Sequence, residues 1–344
     1  MNKRPDPPHA PRVHLASLGC AKNLVDSERL LGRLAAAGAV VGAPIEDADI
    51  AIVNTCGFIA PARDESLDVI REYSEWKRAA VGRRLFVMGC LVALPGNELP
   101  VLAPEVDGLF GIDEHAALAR AIGLHAPDSE DEGRLLLTPH HTAYLRISDG
   151  CDNRCSYCTI PSIRGPFRSR SMDEILREAA GLAALGVREL NLIGQDTSLY
   201  GADLSPRVGI HDLLSALSTL EEVRWLRLLY VHPAHVTDRL IAAYASLPKV
   251  VPYVDLPLQH LSDPILAQMN RRVTQADCLR LIERWRERVP GVSLRTTFIV
   301  GFPGETDAQF EELLRLVGDV RFDHVGAFPY SPEDGTPAAA LLDR

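Results

Sequence analysis

The stretch Ala143-Tyr-Leu-Arg-Ile-Ser-Asp-Gly-Cys-Asp-Asn-Arg-Cys-Ser-Tyr-Cys158 decides how the second half of the chain folds and what it can bind. Its first six residues alternate in polarity, which predicts a β-strand. Three cysteines follow at C-x3-C-x2-C spacing on a polar loop, and Pro161 and Gly165 predict that this loop does not become a helix. Thiolates spaced this closely can bind one soft metal centre.

The three cysteines, Cys151, Cys155 and Cys158, are one ligand short of the common metal sites. A structural zinc site is normally closed by four ligands, and a plain electron-transfer cluster also takes four cysteines. On a 4Fe–4S cluster, three cysteines leave one iron free to bind a small molecule. The alternative is a structural zinc site completed by His140 or His141, which would have to fold back over the strand.

The composition is that of a globular protein with two domains. The chain has 344 residues, of which 47% are hydrophobic and 24% charged, and no apolar run reaches the length of a membrane span. The net charge of −10 does not favour a nucleic-acid binder and suits a basic protein partner better. Residues 1–11 are rich in proline and lack a signal-peptide core, which predicts a disordered lead-in and a cytoplasmic protein without a membrane partner.

Residues 12–125 alternate strand and helix, which predicts an α/β domain with a mainly parallel, flavodoxin- or Rossmann-like sheet. The predicted strands are 13–18, 50–53, 85–88 and 108–111. The predicted helices are 23–37, 60–78 and 114–122. Residues 126–141 are polar, acidic and flanked by proline, and we interpret them as the linker to a second domain.

A cysteine with a neighbouring glycine follows each of the first three predicted strands. These cysteines are Cys20, Cys56 and Cys90, beside Gly19, Gly57 and Gly89. Because ligands collect at the carboxyl ends of parallel strands, the three thiols can meet, and glycine lets the backbone approach a bulky inorganic group. The pattern predicts a second metal cluster, and the alternative is three unrelated buried thiols. The seventh cysteine, Cys278, has helical spacing to apolar neighbours and is interpreted as a core residue.

Residues 142–344 contain six further strand candidates separated mostly by helices. The strands are predicted at 144–148, 189–193, 225–230, 251–256, 293–300 and 324–328, and the helices at 172–185, 211–220, 237–247, 275–288 and 307–317. Six β/α units predict a partial (β/α)6 barrel, whose active site lies on the loops after the strands. The Cys151 loop follows the first of these strands, where that rule places the chemistry.

With both cysteine triplets in view, the chain resembles the radical S-adenosylmethionine (SAM) methylthiotransferase family over nearly its whole length. The matching motifs are Gly19-Cys-Ala-Lys-Asn-Leu-Val-Asp-Ser-Glu28, Asn54-Thr-Cys-Gly-Phe58, the Cys151 loop, Leu256-Pro-Leu-Gln-His260, Met269-Asn-Arg-Arg272 and Phe298-Ile-Val-Gly-Phe-Pro-Gly-Glu305. Three details look most like the RimO branch, which modifies an aspartate of small-subunit ribosomal protein S-twelve. They are Lys22-Asn23 with Asp26-Ser-Glu28, Gln259-His260, and Tyr330-Ser-Pro-Glu-Asp-Gly-Thr336.

The resemblance implies two 4Fe–4S clusters, one on Cys151, Cys155 and Cys158 and the other on Cys20, Cys56 and Cys90. At the first cluster, SAM would be cleaved to a 5′-deoxyadenosyl radical that takes a hydrogen from the aspartate β-carbon. The second would hold the sulfur that is methylated and transferred. A low-potential electron donor such as flavodoxin or ferredoxin would reduce the protein. The chain ends shortly after the sixth strand, so we expect it to lack the small C-terminal TRAM domain that is usual in this family.

Contacts with SAM are expected on the cysteine loop and at the turns after the second and fifth barrel strands. The candidate residues are Tyr157, Gly194, Gln195, Asp196, Gly301, Gly304 and Glu305. Their glycines permit close backbone approach, and their polar groups can meet hydroxyl or amino groups. The alternatives are that both segments only form strand-to-helix turns, and that Tyr157 only packs as an aromatic side chain within the loop. His260 is either a satisfied turn histidine or a substrate contact, and Lys22 and Asn23 either bound the sulfur site or begin a helix.

Three other functions stay open from the sequence. The first is the same chemistry on a tRNA adenosine, as in the MiaB branch, where Gln-Ser-Gly is more usual than Gln259-His260. The second is a non-catalytic iron–sulfur protein for electron transfer or redox sensing, which would not cleave SAM when reduced. The third is a zinc-binding structural module, which would be colourless after anaerobic purification.

Overall fold

The computed structural model describes residues 10–125 and 133–341, which form two compact units divided between Leu137 and Thr138. The predicted lead-in lies outside the described residues except for Ala10 and Pro11, and so do residues 126–132 of the predicted linker. None of the helices in the described ranges is both long and apolar enough to cross a bilayer.

The first unit is a parallel five-stranded sheet with helices on both faces. Its strands are β1 (Arg12–Ser17), β2 (Val40–Val41), β3 (Ile50–Thr55), β4 (Arg84–Gly89) and β5 (Gly108–Phe110). Its helices are α1 (Ala21–Ala36), α2 (Ala60–Arg78), α3 (Cys90–Ala93), α4 (Leu99–Leu102) and α5 (His115–Ala121). The strand order is β2-β1-β3-β4-β5, so the predicted flavodoxin-like arrangement is confirmed.

Burial on both faces explains why β3 was predictable as a short apolar run. All six of its residues are buried. Ile50 and Ile52 pack in the core beneath α1 and α5, whereas Ala51 and Val53 pack in the core beneath α2. A parallel strand covered by helices on both faces needs apolar residues at every position. The edge strand β2 was missed because two residues carry no periodicity.

Part of the predicted linker is bound to the first unit. The buried carboxylate of Glu28, on α1, forms an ion pair with Arg134 and accepts a hydrogen bond from the backbone N of Leu137 at 2.8 Å. A Cβ atom on Gly32 would lie only 1.7 Å from the carbonyl oxygen of Gly133. The chain after the acidic segment therefore runs in direct contact with α1.

The second unit carries all six predicted barrel strands. They are β6 (Thr142–Arg146), β9 (Glu189–Ile193), β10 (Trp225–Leu228), β11 (Tyr253–Asp255), β12 (Ser293–Val300) and β13 (His324–Pro329), and a short hairpin adds β7 (Ser148–Asp149) and β8 (Arg168–Ser169). The helices are α6 (Ile160–Arg164), α7 (Met172–Ala184), α8 (Ile210–Leu217), α9 (Asp238–Ser246), α10 (Asp263–Gln268), α11 (Gln275–Arg288) and α12 (Asp307–Val320).

The six strands run parallel in two groups of three, ordered β6-β9-β10 and β11-β12-β13. A parallel bridge between Leu226 and Val250 joins the groups, and the backbone N of Val231 donates to the carbonyl of Asp255 at 3.0 Å. The partial (β/α)6 barrel is confirmed. The structure also confirms that Cys278 is a core residue, because it is buried on α11.

The cysteine loop contains no helix over residues 151–158, as predicted, and a short helix begins directly after it. Residues Ile160–Arg164 form α6, with Pro161 in its first turn, where a missing N–H costs nothing. Gly165 follows the helix with a φ of 73° and ends it. Pro161 and Gly165 therefore bound this short helix, which the sequence did not predict.

Candidate iron–sulfur and cofactor sites

The first candidate site lies at the carboxyl ends of three strands in the first unit. Cys20 directly precedes α1, Cys56 directly follows β3, and Cys90 directly follows β4 as the first residue of α3. Because β1, β3 and β4 are adjacent and parallel, their carboxyl ends lie at one edge of the sheet. The structure thus places three cysteines that are far apart in sequence at the same edge of one sheet.

The glycines beside these cysteines leave no room for side chains. A Cβ atom on Gly19 would lie 2.8 Å from the Cβ and 3.1 Å from the Sγ of Cys56. A Cβ atom on Gly57 would lie 2.9 Å from the carbonyl carbon of Cys90. Glycine at these two positions is therefore required for the three segments to converge.

Asn23, near the start of α1, ties the cysteine segments to one another. Its Nδ2 donates to the carbonyl oxygens of Leu18 at 3.1 Å and Thr55 at 2.8 Å, and its Oδ1 accepts a hydrogen bond from the Cys90 thiol at 3.3 Å. Both Asn23 and its neighbour Lys22 are buried. Asn23 therefore does more than begin the helix, since it contacts a candidate ligand.

The donor set of the first site fits a cluster with three protein ligands. Cys56 and Cys90 are buried, whereas Cys20 is exposed at the N-terminus of a helix of 16 residues. The positive end of the helix dipole stabilises negative charge there, and thiolates on iron carry such charge. Together with the glycines that let the three cysteine segments converge, these features suit an anionic group.

The second candidate site is the Cys151 loop, between β7 and α6. Backbone hydrogen bonds close the loop. The N of Cys151 donates to the carbonyl oxygen of Gly165 at 3.2 Å, and the N of Cys158 donates to the carbonyl oxygen of Cys155 at 3.1 Å. Arg154, in its middle, has a left-handed φ of 51°, which an L-residue adopts only when its surroundings hold it there. The loop therefore has a defined conformation.

Two distant segments anchor this loop. The backbone N of Ser156 donates to the carbonyl of Met269 at 3.1 Å, and Nδ2 of Asn270 donates to the carbonyl of Arg154 at 2.9 Å. The backbone N of Ala338, near the end of the described chain, donates to the carbonyl of Ser156 at 2.9 Å. These contacts fix the loop from both sides.

The thiols of the loop need a positive charge nearby in order to ionise. Burial raises the pKa of Cys158 to about 12 and also raises the pKa of Cys151. Metal ions supply the required charge and bind the thiolate form. A metal centre bound here would therefore displace the protons of these thiols, and the case for such a centre rests on the spacing of the three cysteines.

The histidines needed for the zinc alternative lie at the wrong end of the strand. His140 and His141 directly precede β6, whereas the cysteine loop follows the opposite end of the same strand. The five residues of β6 span about 17 Å. Neither histidine can complete a zinc site with the three cysteines without unfolding the strand.

The turn after β9 carries three of the predicted cofactor residues, Gly194, Gln195 and Asp196. A Cβ atom on Gly194 would lie 2.4 Å from the Oγ of Ser148, so this turn lies directly against β7. The Oε1 atom of Gln195 is buried without a hydrogen-bond partner among the described residues. A buried acceptor without a partner is costly, and an amino or hydroxyl group of SAM would satisfy it.

Asp196 is the centre of a buried hydrogen-bond network. Its Oδ2 accepts a hydrogen bond from Nδ2 of Asn153 at 2.8 Å and lies 2.7 Å from Nδ1 of His235, while its Oδ1 accepts one from the backbone N of Ser198 at 3.1 Å. Burial alone would raise the pKa of Asp196, but the bond from His235 and other nearby groups lower it, so the carboxylate is ionised. Through its hydrogen bond from Asn153, which lies on the cysteine loop, Asp196 holds that loop in place.

His232 joins this network with an unused donor. Its ring stacks on His235 with centroids 4.8 Å apart, and its Nδ1 accepts a hydrogen bond from the backbone N of Ala234 at 3.2 Å. Burial, and then the charge of Arg271, lower its pKa to about 3, so the ring is neutral and carries its proton on Nε2. That atom is buried without a partner among the described residues. His232 can therefore donate to a ligand.

The donor atoms of Asp196, His232 and His235 lie within 4.8 Å of one another, a spacing that could hold a metal ion. Both oxygens of Asp196 already accept hydrogen bonds, so we interpret the group as a network and not as a metal site. The sequence analysis missed both histidines. They follow the third strand of the barrel, and the rule that chemistry lies after strand ends could have found them.

The turn after β12 is held by Glu305. One carboxylate oxygen accepts hydrogen bonds from the backbone N of Gly301 at 2.5 Å and of Phe302 at 3.2 Å, and the other lies 3.0 Å from Nε2 of His260. Nδ1 of His260 accepts a hydrogen bond from the backbone N of Ser262 at 2.9 Å. His260 is thus the satisfied turn histidine, and both oxygens of Glu305 are engaged within the protein.

Three other predicted cofactor residues lie near the same turn. Gly301 and Gly304 are exposed and have left-handed φ values of 70° and 84°, which glycine adopts without strain. Tyr157 packs edge-on against Phe302 with ring centroids 6.5 Å apart. This packing agrees with the alternative that Tyr157 only packs within the loop. Contact of Tyr157 with SAM stays a prediction.

Both units match known families. Residues 145–317 match the radical SAM superfamily, and residues 12–111 match the uncharacterized protein family UPF0004. The ribosomal protein uS12 methylthiotransferase RimO of Chlorobium luteolum is 47% identical over 339 residues, covering 98% of this chain and 77% of the relative. RimO of Heliobacterium modesticaldum is 44% identical over 346 residues, covering 97% of this chain and 75% of the relative.

Solved structures share the fold. The radical SAM methyltransferase TsrM from Kitasatospora setae, solved with cobalamin and a 4Fe–4S cluster bound, superposes with a TM-score of 0.70 at 16% identity, covering 96% of this chain and 77% of that one. The cobalamin-dependent radical SAM enzyme OxsB superposes with a TM-score of 0.60 at 14% identity, covering 96% of this chain and 55% of the OxsB chain. These neighbours support the α/β architecture alone.

Proposed function

Because this chain belongs to the RimO family of radical SAM methylthiotransferases, we propose that it transfers a methylthio group to the β-carbon of an aspartate of ribosomal protein uS12, the S-twelve protein. The observation that carries the proposal is the presence of two separate three-cysteine sites. One is formed by Cys20, Cys56 and Cys90 at three strand ends, and the other by the Cys151 loop. Each triplet would hold a 4Fe–4S cluster with one iron left for a non-protein ligand.

The carbon to be modified carries a hydrogen that ordinary side-chain bases cannot remove. SAM on a reduced cluster supplies the radical chemistry that this step needs. The protein supplies position and a dry environment. Among the residues that the structure describes, the buried acceptor on Gln195 and the buried donor on His232 are two unpartnered polar groups that would orient the cofactor.

The residues around the cysteine loop are arranged to keep it rigid. Asp196 holds the loop through Asn153 and holds the turn after β10 through His235. On the other side, Glu305 and His260 fix the turn after β12. We infer that these contacts set the position of the loop relative to the strand ends, so that little reorganisation is needed when SAM binds.

The acidic character of the chain supports a protein substrate over tRNA. The net charge of −10 opposes the phosphate contacts on which RNA binding depends. A ribosomal protein that binds RNA must itself be basic, and an acidic enzyme attracts it. The proposal further includes a low-potential electron donor such as flavodoxin or ferredoxin, and a cytoplasmic location, where ribosomes are assembled.

The test is an anaerobic assay of the reconstituted full chain with SAM, a chemical reductant and purified uS12. We expect a mass increase of one methylthio group on uS12, together with 5′-deoxyadenosine, and no modification of tRNA. Mass spectrometry of the protein and chromatography of the nucleoside measure the two products. Modification of tRNA but not of uS12 would favour the MiaB-like alternative, and failure to cleave SAM would favour a redox protein.

A matched control is available in the seventh cysteine. Cys278 is buried in α11, away from both triplets in the sequence, so Cys278→Ala tests whether loss of any thiol disturbs the assay. We expect this variant to keep both products. Loss of activity in Cys278→Ala to the same extent as in a triplet variant would contradict the assignment of separate roles.

A further inference from the structure

Arg271 places a fixed positive charge against the cysteine loop. Its Nη1 donates to the Sγ of Cys155 at 3.5 Å, and its Nη2 donates to the carbonyl oxygen of Pro257 at 2.6 Å. Only 3% of the residue is exposed. A guanidinium keeps its charge in such surroundings, so the loop faces a permanent cation.

Arg271 has no carboxylate in direct contact, although the nearby Asp196 favours its charged form. Within residues 10–125 and 133–341, no aspartate or glutamate oxygen forms an ion pair with its guanidinium group, and its Nε is buried without a hydrogen-bond partner. Burial of a charge without a direct counter-charge is unfavourable. An anionic group that lies beside Arg271 would therefore be strongly stabilised.

The backbone around Arg271 is strained in a way that fixes this charge in place. Its neighbours Asn270 and Arg272 both have left-handed φ values, of 56° and 54°, as does Arg154 in the facing loop. Asn270 donates a hydrogen bond to the carbonyl of Arg154, and the carbonyl of Met269 accepts one from the backbone N of Ser156, so both residues hold the loop. Such conformations are unfavourable for residues other than glycine and persist only where the surroundings enforce them.

We propose that Arg271 is the counter-charge of the cluster on the Cys151 loop and raises its reduction potential, so that the cluster accepts its electron from the low-potential donor more readily. This inference rests on the cluster assignment proposed above. One electron moves from the donor to the cluster, and the added negative charge is stabilised by the guanidinium. Hydrogen bonds to sulfur and local charge are established determinants of cluster potential.

The geometry gives the sign of the effect. A positive charge at hydrogen-bonding distance from a ligand sulfur favours the more negative, reduced form of the cluster. Because Arg271 is buried and Cys155 is only partly exposed, solvent and salt screen the interaction less than they screen one at the surface. Arg271 thus acts as a positioning and tuning residue, since it contacts the ligand sulfur and not the substrate.

The experiment uses the full chain with Cys20, Cys56 and Cys90 all replaced by alanine, so that only the loop cluster is reconstituted. In this background we compare Arg271 with Arg271→Lys and Arg271→Gln, and measure iron content and an electron-paramagnetic-resonance redox titration. We expect about four irons in each protein. At a fixed solution potential, the ratio of reduced to oxidised cluster should fall at least tenfold in Arg271→Gln. This corresponds to a reduction potential that is lower by about 59 mV. The decrease in Arg271→Lys should be smaller.

Arg272→Gln is the matched control, because it removes the same charge from the next residue, which is exposed. Its potential should equal that of the parent. An unchanged potential in Arg271→Gln, or an equal shift in Arg272→Gln, would overturn the proposal. Loss of iron in Arg271→Gln but not in Arg271→Lys supports a counter-charge, whereas loss in both assigns the effect to side-chain packing.

Failure of the underlying cluster assignment has its own signature. If the parent protein with the three alanine replacements binds no iron at all, the loop is not a cluster site, and the result does not depend on Arg271. Circular dichroism of each protein separates this outcome from unfolding. The two hypotheses therefore fail in different measurements.

Discussion

The two cysteine sites reach the same ligand number by different routes. The Cys151 loop places its ligands within a few residues of one another and closes through its own backbone hydrogen bonds. The first site collects Cys20, Cys56 and Cys90 from three strand ends, and exists only when β1, β3 and β4 are paired in register. The first site therefore depends on the whole sheet, whereas the loop depends on a few anchors.

The largest expected effect separates the two sites by function. Under the proposed function the loop cluster would supply the radical, so Cys155→Ala should abolish both SAM cleavage and methylthio transfer. The first site would hold the sulfur, so Cys56→Ala should abolish methylthio transfer but leave 5′-deoxyadenosine formation. Each variant should fall from about eight irons per chain to about four. Iron analysis together with the two product assays measures this difference.

Cys278→Ala serves as the control for both variants and should keep about eight irons. Two results would break the comparison. Loss of all iron in Cys56→Ala would mean that the loop site depends on the first site. Retention of methylthio transfer in Cys56→Ala would mean that the first three thiols have a structural role only.

A smaller effect tests how strongly the first site depends on close packing. Gly89 has a φ of 103°, and a Cβ atom there would lie 2.4 Å from Oδ1 of Asn54 and 2.8 Å from the carbonyl of Thr55. We expect Gly89→Ala to lower the free energy of unfolding of the first unit by roughly 2–4 kcal/mol. Iron at this site should fall, while the loop cluster stays loaded.

Gly82 provides the matched substitution. It has a similar φ of 92°, but a Cβ atom there would have nothing within 4 Å, so Gly82→Ala carries backbone strain alone. We expect a cost of about 1–2 kcal/mol and no loss of iron. Urea unfolding followed by circular dichroism, with iron analysis, compares the two. Equal effects would show that backbone strain, and not the close approach to Asn54, limits assembly of the site.

The sequence was sufficient for the fold wherever an element was long enough to carry a pattern. All six barrel strands and the flavodoxin-like sheet were predictable: β3 is an apolar run buried at every position, whereas β6 and β12 alternate between buried and partly exposed residues. The edge strand β2, the β7–β8 hairpin and the helices α3, α4, α6 and α10 were missed, since elements of two to six residues carry little measurable period.

The candidate sites were predictable to the extent that spacing or strand ends reveal them. Both cysteine triplets follow from such rules. The position of His232 after a strand end also follows from them, but its unpartnered buried Nε2 does not, and neither does the hydrogen bond from Arg271 to Cys155. Sequence spacing carries no information on burial without a partner, which is a property of the folded chain.

The smallest expected effect distinguishes the sites by their response to acid. His232 has a folded pKa of about 3, below its unfolded value of about 6.5. The unfolded state therefore binds the proton more readily, so the stability that neutral His232 contributes is present above pH 6.5 and is lost as the pH falls toward 3.

Between pH 7 and pH 5, the second unit should lose about 1–2 kcal/mol of stability through His232. His232→Asn keeps an acceptor for Ala234 but cannot be protonated, so its stability should fall by less over the same range. Urea unfolding of the wild type and the variant at both pH values measures the difference. An identical pH dependence would show that His232 is not held neutral in the folded state. Its Nε2 would then not be the unused donor that distinguishes the loop site from the first site, where the Cys90 thiol donates to Asn23.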